Sequence, residues 1–413
     1  MLRGLIYLLI DQQRSLISHV RKKYDHAGKT LFEDANAWVA LSEILTNILQ
    51  DLSLNSTYLV IDALDECVAD LPKLLDFIVQ TSSVSTRVKW IVSSRNWPSI
   101  EKDLDAATQK VRLCLELNET SVSAAVATYI QSKVDWLAKR NKYDSDTRDA
   151  VQRYLSSNAH GTFLWVALVC QELSNISRWK AQKKLTAFPP GLDALYRRMI
   201  EQIRDSEDAE LCKRILAVVS AVYRPLTLDE LASFVDMPDS VSGDYEALSE
   251  IVGLCGSFLT LRERSISFVH QSAKDFLFNE VRSEIFPSDI EDVHRVIFSR
   301  SLQVMSSALR RRDVYSLGEL GYPIELVEQP DLDPLAAARY SCIYWVGHLC
   351  DWNPNSSANP QAALQDGGAV GNFLRGKYLY WLEALSLCGS MSDGVTSMAK
   401  LEALLQVLLR LAI

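Results

Sequence analysis

The chain has 413 residues, 48% of them hydrophobic, with 43 basic against 52 acidic side chains and a net charge of −9. At about 100–200 residues per domain this length holds two to four domains, and the composition excludes a disordered chain. No long run of one sign stands out, which argues against a nucleic-acid sheath and a polybasic membrane anchor.

Residues 1–24 and 34–51 carry apolar side chains at three- and four-residue spacing, the pattern of amphipathic helices. The opening LIYLLI is too short to span a membrane, and DQQR follows it with no small-residue cleavage site, so it reads as a helix face in a cytosolic protein. The period then changes. YLVID at 58–62 and VKWIVSS at 88–94 are short continuous apolar runs, and VRLCLEL at 111–117 alternates before a polar stop. With LPKLLDFIVQ (71–80) between the first two, these runs predict a parallel sheet covered by helices.

From residue 119 the pattern is almost wholly helical, with a break at Pro189-Pro190. LCKRILAVVSAVY and TLDELASFV are followed by FLTLRERSISFVH, which reads as two strands around an Arg-Glu-Arg turn. Helices, a hairpin and another helix outline a winged helix. Residues 289–413 read as helices joined by polar loops, without a repeat of fixed period.

The eight cysteines are scattered, with no CxxC pair, and read as free thiols in a reducing compartment. Cys342, His348 and Cys350 come nearest to a ligand set, but with no second ligand pair they read as core positions of one helix.

Asp62 stands where a buried parallel strand emerges at its carboxyl end, the side on which open α/β sheets bind ligands. An aspartate there can hold Mg²⁺ and a later carboxylate can orient water; alternatively, Asp62, Asp65 and Glu66 simply start a helix whose dipole favours acids. Arg95, after Ser93 and Ser94, ends the neighbouring strand, either as a phosphate sensor or as a surface arginine in a turn.

These residues bring the chain to a resemblance. VIDALDE resembles the extended Walker B pattern of the NACHT family of STAND signalling NTPases, above all the fungal members that carry WD40 or ankyrin repeats. WIVSSRNWPSIE is similar to the family's sensor strand, AHGTFLWVALVCQEL to its first helical subdomain after the nucleotide fold, and FPPGLDALYRRMI to the segment after that. PLTLDELASFV and ISFVHQSAKDFLF resemble its winged helix. The resemblance covers roughly residues 1–310 and implies Mg²⁺ on Asp62, a water positioned by Asp65 and Glu66, Arg95 as phosphate sensor, and His270 touching the nucleotide diphosphate. It also implies ATP or ADP as ligand and protein partners or self-association, with neither nucleic acid nor membrane, in the cytoplasm. The family is associated with fungal self/non-self recognition and cell death. The alternation of Ile266, Phe268 and His270 places the imidazole inward with the apolar side chains, either as a core histidine or as that nucleotide contact.

One part of such a site is not found. The phosphate cradle GxxxxGK[ST] has a single candidate, AGKT at 27–30; Lys23 stands where its first glycine belongs, and ISHVRKKYDH ahead of it is helical. The chain is therefore expected to start inside the nucleotide domain. The expected fold class is α/β plus all-α: a partial P-loop-NTPase-type sheet at 1–118, a helical subdomain at 119–205, a winged helix at 206–285 and a helical connector at 286–413. Two functions stand side by side: a nucleotide-dependent switch with weak or lost hydrolysis, and a non-enzymatic interaction module. A metal-dependent hydrolase built on the three carboxylates alone lacks a histidine or further acids to complete it.

Overall fold

In a computed structural model the chain divides into two compact units, Met1–Cys114 and Leu115–Ile413. The structure describes residues 1–411 except 29–31, 33–36, 68–69, 96–97, 106–118, 239–240, 242–243, 263, 319–320, 353–360 and 366.

The first unit runs α1 (Leu2–Gln12), α2 (Ile17–Ala27), α3 (Ala37–Gln50), β1 (Thr57–Ile61), α4 (Leu71–Thr81), β2 (Val88–Val92) and α5 (Pro98–Leu104). The single helix expected over 1–24 is broken at Gln13, whose backbone leaves helical geometry at φ −137°, ψ 88°. Its amide explains the break: Nε2 donates to the Ser53 carbonyl at 2.8 Å and Oε1 accepts from the Asn55 N–H at 3.2 Å, tying the helix end to the turn before β1.

β1 and β2 pair in parallel, Thr57 with Val88 through Ile61 with Val92. Leu59, Ile61 and Val88 point into a core with Ile44, Leu45 and Ile48 of α3 and Leu74, Leu75 and Ile78 of α4. The opposite face is open: Tyr58, Val60 and Ile91 are exposed. Within the first unit the described helices thus cover one face of the sheet. The expected third strand at 111–117 lies outside the described residues.

The second unit begins with α6 (Glu119–Asn141), α7 (Ser145–Asn158), α8 (Phe163–Ser174), α9 (Arg178–Leu185) and α10 (Leu192–Arg204). Trp165 of α8 is fully buried and its indole N–H donates to the Pro189 carbonyl at 3.0 Å, so the proline break is fastened to the helical core.

The winged helix follows: α11 (Ala209–Ala221), β3 (Leu226–Thr227), α12 (Leu228–Phe234), α13 (Tyr245–Leu254), β4 (Leu259–Arg262), β5 (Ser265–Phe268) and α14 (Gln271–Asn279). Its antiparallel sheet has the order β3-β5-β4. One apolar core runs without interruption from Val126 to Tyr340.

After α15 (Arg282–Ile285), the C-terminal helices α16 (Ile290–Ala308), α17 (Arg339–Asp351), α18 (Gln361–Leu364), α19 (Ala369–Leu387) and α20 (Met391–Leu411) close on a core centred on Trp345 and Trp381. The fold is α/β plus all-α with a winged helix, as the periodicities indicate. Among the described residues no helix is long and apolar enough to cross a membrane.

Candidate functional site

Parallel pairing of β1 with β2 brings Asp62 and Ser93, the first residues beyond the two strands, side by side. The Ser93 hydroxyl donates to Asp62 Oδ1 and accepts the Ala63 N–H at 2.9 Å. Strand-like bonds continue past the sheet, Ser93 N to the Ile61 carbonyl and Leu64 N to the Ser93 carbonyl, both 2.9 Å. Ala63 takes a left-handed conformation, φ 51°, which turns the chain sharply into a short 3₁₀ turn, Leu64–Glu66. Alanine disfavours that region, and strain of this kind concentrates at functional sites.

That turn sets the fate of the next acids. Asp65 folds back: the Arg95 backbone N–H donates to its Oδ1 at 3.0 Å, and the Arg95 Nε lies 3.3 Å from its Oδ2. Its side chain is only 7% exposed. Asp62 and Glu66 stay exposed. The strand ends thus carry Asp62, Ser93, Asp65 and Arg95 together, with Glu66 one residue further on. Among the described residues no group of three or more histidines, cysteines or acids is arranged to hold a metal by itself.

The AGKT candidate has a helix leading into it. α2 continues to Ala27 and is capped at Gly28, whose N–H bonds to the Tyr24 carbonyl. Lys29 and Thr30 lie outside the described residues.

His270 belongs to the second unit and does not point inward. β5 ends at Phe268, so the alternation stops two residues short of it, and His270 instead caps the N-terminus of α14 as an exposed residue. Its Nδ1 accepts the Ser272 N–H at 3.1 Å and lies 2.8 Å from the Ser272 hydroxyl. A neutral imidazole accepting at Nδ1 carries its proton on Nε2. Ser272 in turn bonds to the buried Tyr196 hydroxyl at 3.0 Å.

A second polar cluster joins the winged helix to the C-terminal helices, and sequence reasoning missed it. Glu230 on α12 is 1% exposed and accepts two bonds from Arg224 (2.8 and 2.6 Å), the Thr227 N–H (2.9 Å) and the Tyr340 N–H (3.0 Å). Thr227 returns a bond to the Glu230 N–H, closing a capping box. The Thr-x-x-Glu spacing at 227–230 was a visible signal. Beyond it, the hydroxyl end of Tyr223 lies close over Gly347 and donates to Asp351 at 2.6 Å.

Comparison with known proteins bears on both units. The family described as Nephrocystin 3, N-terminal, matches residues 1–95, and the family described as GPI inositol-deacylase, winged helix domain, matches residues 196–288. Over 418 aligned residues the chain is 56% identical to the vegetative incompatibility protein HET-E-1 of Podospora anserina, covering 98% of this chain. The chain is a NACHT-region relative of that fungal protein. It spans 31% of the relative's length, about a third. No solved structure matches the chain. The winged-helix match contains β3, α12, β4, β5 and His270, and the match over residues 1–95 contains the whole Asp62–Arg95 arrangement.

Proposed function

We propose that this chain is a segment of an ATP/ADP-dependent signalling switch of the NACHT type, and that Asp62, Asp65, Glu66 and Arg95 form the metal and sensor side of its nucleotide site. The observation that carries this reading is the fixed placement of Asp62 by Ser93 at the carboxyl ends of β1 and β2, with the Asp65–Arg95 pair beside it. The relative's name as a vegetative incompatibility protein supports a signalling role.

The donor set suits magnesium. One exposed carboxylate and a hydroxyl are hard oxygens, and Mg²⁺ typically binds through one or two carboxylates with substrate phosphates and water completing its shell. Asp62 and Ser93 would hold the ion, which when bound supplies charge neutralisation on the nucleotide's phosphate oxygens. Glu66 is the exposed acid able to orient a water; Asp65, held by Arg95, orients the guanidinium. His270 presents a protonated Nε2 suited to a phosphate oxygen.

Hydrolysis in this chain is weak or absent on this reading, because the described residues supply no strand-loop-helix cradle for the β and γ phosphates. The same observation favours a second reading, a non-enzymatic interaction module, and the open sheet face of Tyr58, Val60 and Ile91 fits it too. Calorimetric titration of the chain with ATP and with ADP, each with Mg²⁺, separates the two. Saturable binding that Asp62→Ala abolishes supports the switch; no binding of either nucleotide overturns it in favour of the interaction module.

A further inference from the structure

His294 of α16 and His348 of α17 meet inside the second unit, Nδ1 to Nδ1 at 2.8 Å. His348 Nε2 lies 2.7 Å from the Tyr340 hydroxyl, and that hydroxyl accepts the Tyr223 N–H at 3.1 Å. His348 is fully buried, His294 nearly so, and the Tyr223 ring packs 4.6 Å from the His348 ring. The chain of contacts therefore runs from the end of α11 in the winged helix, through α17, to α16.

The protons can be placed. Tyr340 already accepts from Tyr223, so its own hydrogen goes to His348 Nε2. His348 then carries its proton on Nδ1 and donates it to His294 Nδ1, leaving the His294 proton on Nε2. In this order both imidazoles are neutral and every contact has one donor and one acceptor. A further proton on His294 Nδ1 sets N–H against N–H across the 2.8 Å contact. One on His348 Nε2 sets N–H against the Tyr340 O–H.

We propose that the His294–His348 pair is a proton-operated latch: neutral, it ties the winged helix to the C-terminal helices, and taking up one proton opens that joint. Burial holds both imidazoles below the ordinary histidine range, and for His348 its neighbour His294 pushes the same way. The surroundings favour the neutral pair without locking it. From α16 Glu291, and from α17 Asp351, favour the charged form of His294, while Lys274 of α14 opposes it. Arg224, between α11 and α12, and Glu230, on α12, neutralise each other. Tyr344 lies on α17 itself, 5.6 Å from the Tyr223 ring, and on α20, packed against α17, Asp393 and Lys400 act on Tyr344 and Cys350. On α19, Lys377 donates to the Leu309 carbonyl and Glu383 accepts from the Asp313 and Val314 N–H groups, so both are engaged away from the pair.

The sign follows from linkage. A histidine whose pKa is lowered on closing takes up its proton on opening, so closure is fully favoured above the ordinary value of about 6.5 and weakens as pH falls below it, about tenfold in the opening constant per pH unit. Hydrogen exchange of the whole chain, corrected for intrinsic rates, tests this at residues 223–230 and 340–348. Protection there should fall by about fivefold between pH 6.5 and 5.5, since the imidazole of the open form is already half charged at 6.5, while the double variant His294→Gln, His348→Gln, which removes both titrating rings and can still accept from Tyr340, keeps its protection across the range. Equal protection at both pH values in the native chain, or the same loss in the double variant, overturns the latch. Should the double variant fail to fold, ¹⁵N-histidine NMR of the native chain decides. Two of the six imidazoles still neutral at pH 6 support the proposal, and six titrating near 6.5 overturn it.

Discussion

Arg95 holds Asp65 from two sides, its backbone N–H on one carboxylate oxygen and its guanidinium Nε beside the other. Asp65 is thereby withdrawn from solvent, whereas Asp62, three residues earlier, remains exposed. The two aspartates of one motif should therefore respond differently to mutation. Arg95→Ala leaves a largely buried carboxylate short of a partner and should cost about 1–3 kcal/mol in denaturant unfolding. Asp62→Ala should change stability by less than about 0.5 kcal/mol, so any effect on nucleotide binding is local. Equal stability losses in the two variants would contradict the arrangement.

The first unit should also report acid through one pair. Asp51 is held at about 2, below its ordinary 3.8, by a 2.6 Å hydrogen bond with His19 and then by the Ser53 N–H. A carboxylate whose pKa is lowered by folding adds stability above its unfolded value and loses it as pH falls through the folded one. Unfolding of the native chain should thus steepen between pH 4 and 2, and Asp51→Asn should flatten that limb while lowering stability at pH 7. A parallel pH curve in D51N would show that the His19 pair contributes nothing.

The strands and their terminal acids were legible because a short apolar run followed by carboxylates has few other meanings, and the β1–β2 register then brought Asp62 and Ser93 together. The break at Gln13 was not legible, since its cause is a turn about 40 residues away, at Ser53 and Asn55. His270 shows the opposite error: local alternation was extended past the strand's end, where capping by its own side chain took over. Glu230 lies between these cases. Its bonds to Thr227 were written in the spacing, but its bond to Tyr340, 110 residues on, depends on the packing of the whole unit.

Gly347 gives a packing test of the same joint. A Cβ there would sit 3.0–3.2 Å from two ring carbons and the hydroxyl oxygen of Tyr223, and that ring is fixed by its hydroxyl bond to Asp351. Overpacking of this kind typically costs about 1–3 kcal/mol, and it outweighs the helix propensity that alanine would add. Gly347→Ala should lower the unfolding midpoint of the second unit, and Tyr223→Ala in the same chain should relieve part of the loss. Two losses that simply add would show that the ring is not what the new methyl meets.

Glu230 takes four hydrogen bonds from three residues while 1% exposed. Its worth cannot be read from the Arg224 pair alone, because burying two charges costs much of what their attraction returns. What removal exposes is clearer: Glu230→Ala strands the Arg224 guanidinium, over the rings of Tyr340 and Tyr344, together with the N–H groups of Thr227 and Tyr340. Breaking a buried pair on one side costs about 3–5 kcal/mol, which applies to E230A and to Arg224→Met alike; E230A also strips the Thr227 and Tyr340 N–H groups of their acceptor, so it should unfold the second unit more readily than Arg224→Met, which keeps those two bonds and the apolar stem. Glu230→Gln should fall between them, since its amide oxygen can still accept from one backbone N–H. Denaturant midpoints ordered native, R224M, E230Q, E230A would locate the joint's strength in the acceptor. The reverse order for R224M and E230A would place it in the arginine, through its charge on the buried carboxylate and its stacking on the two tyrosines.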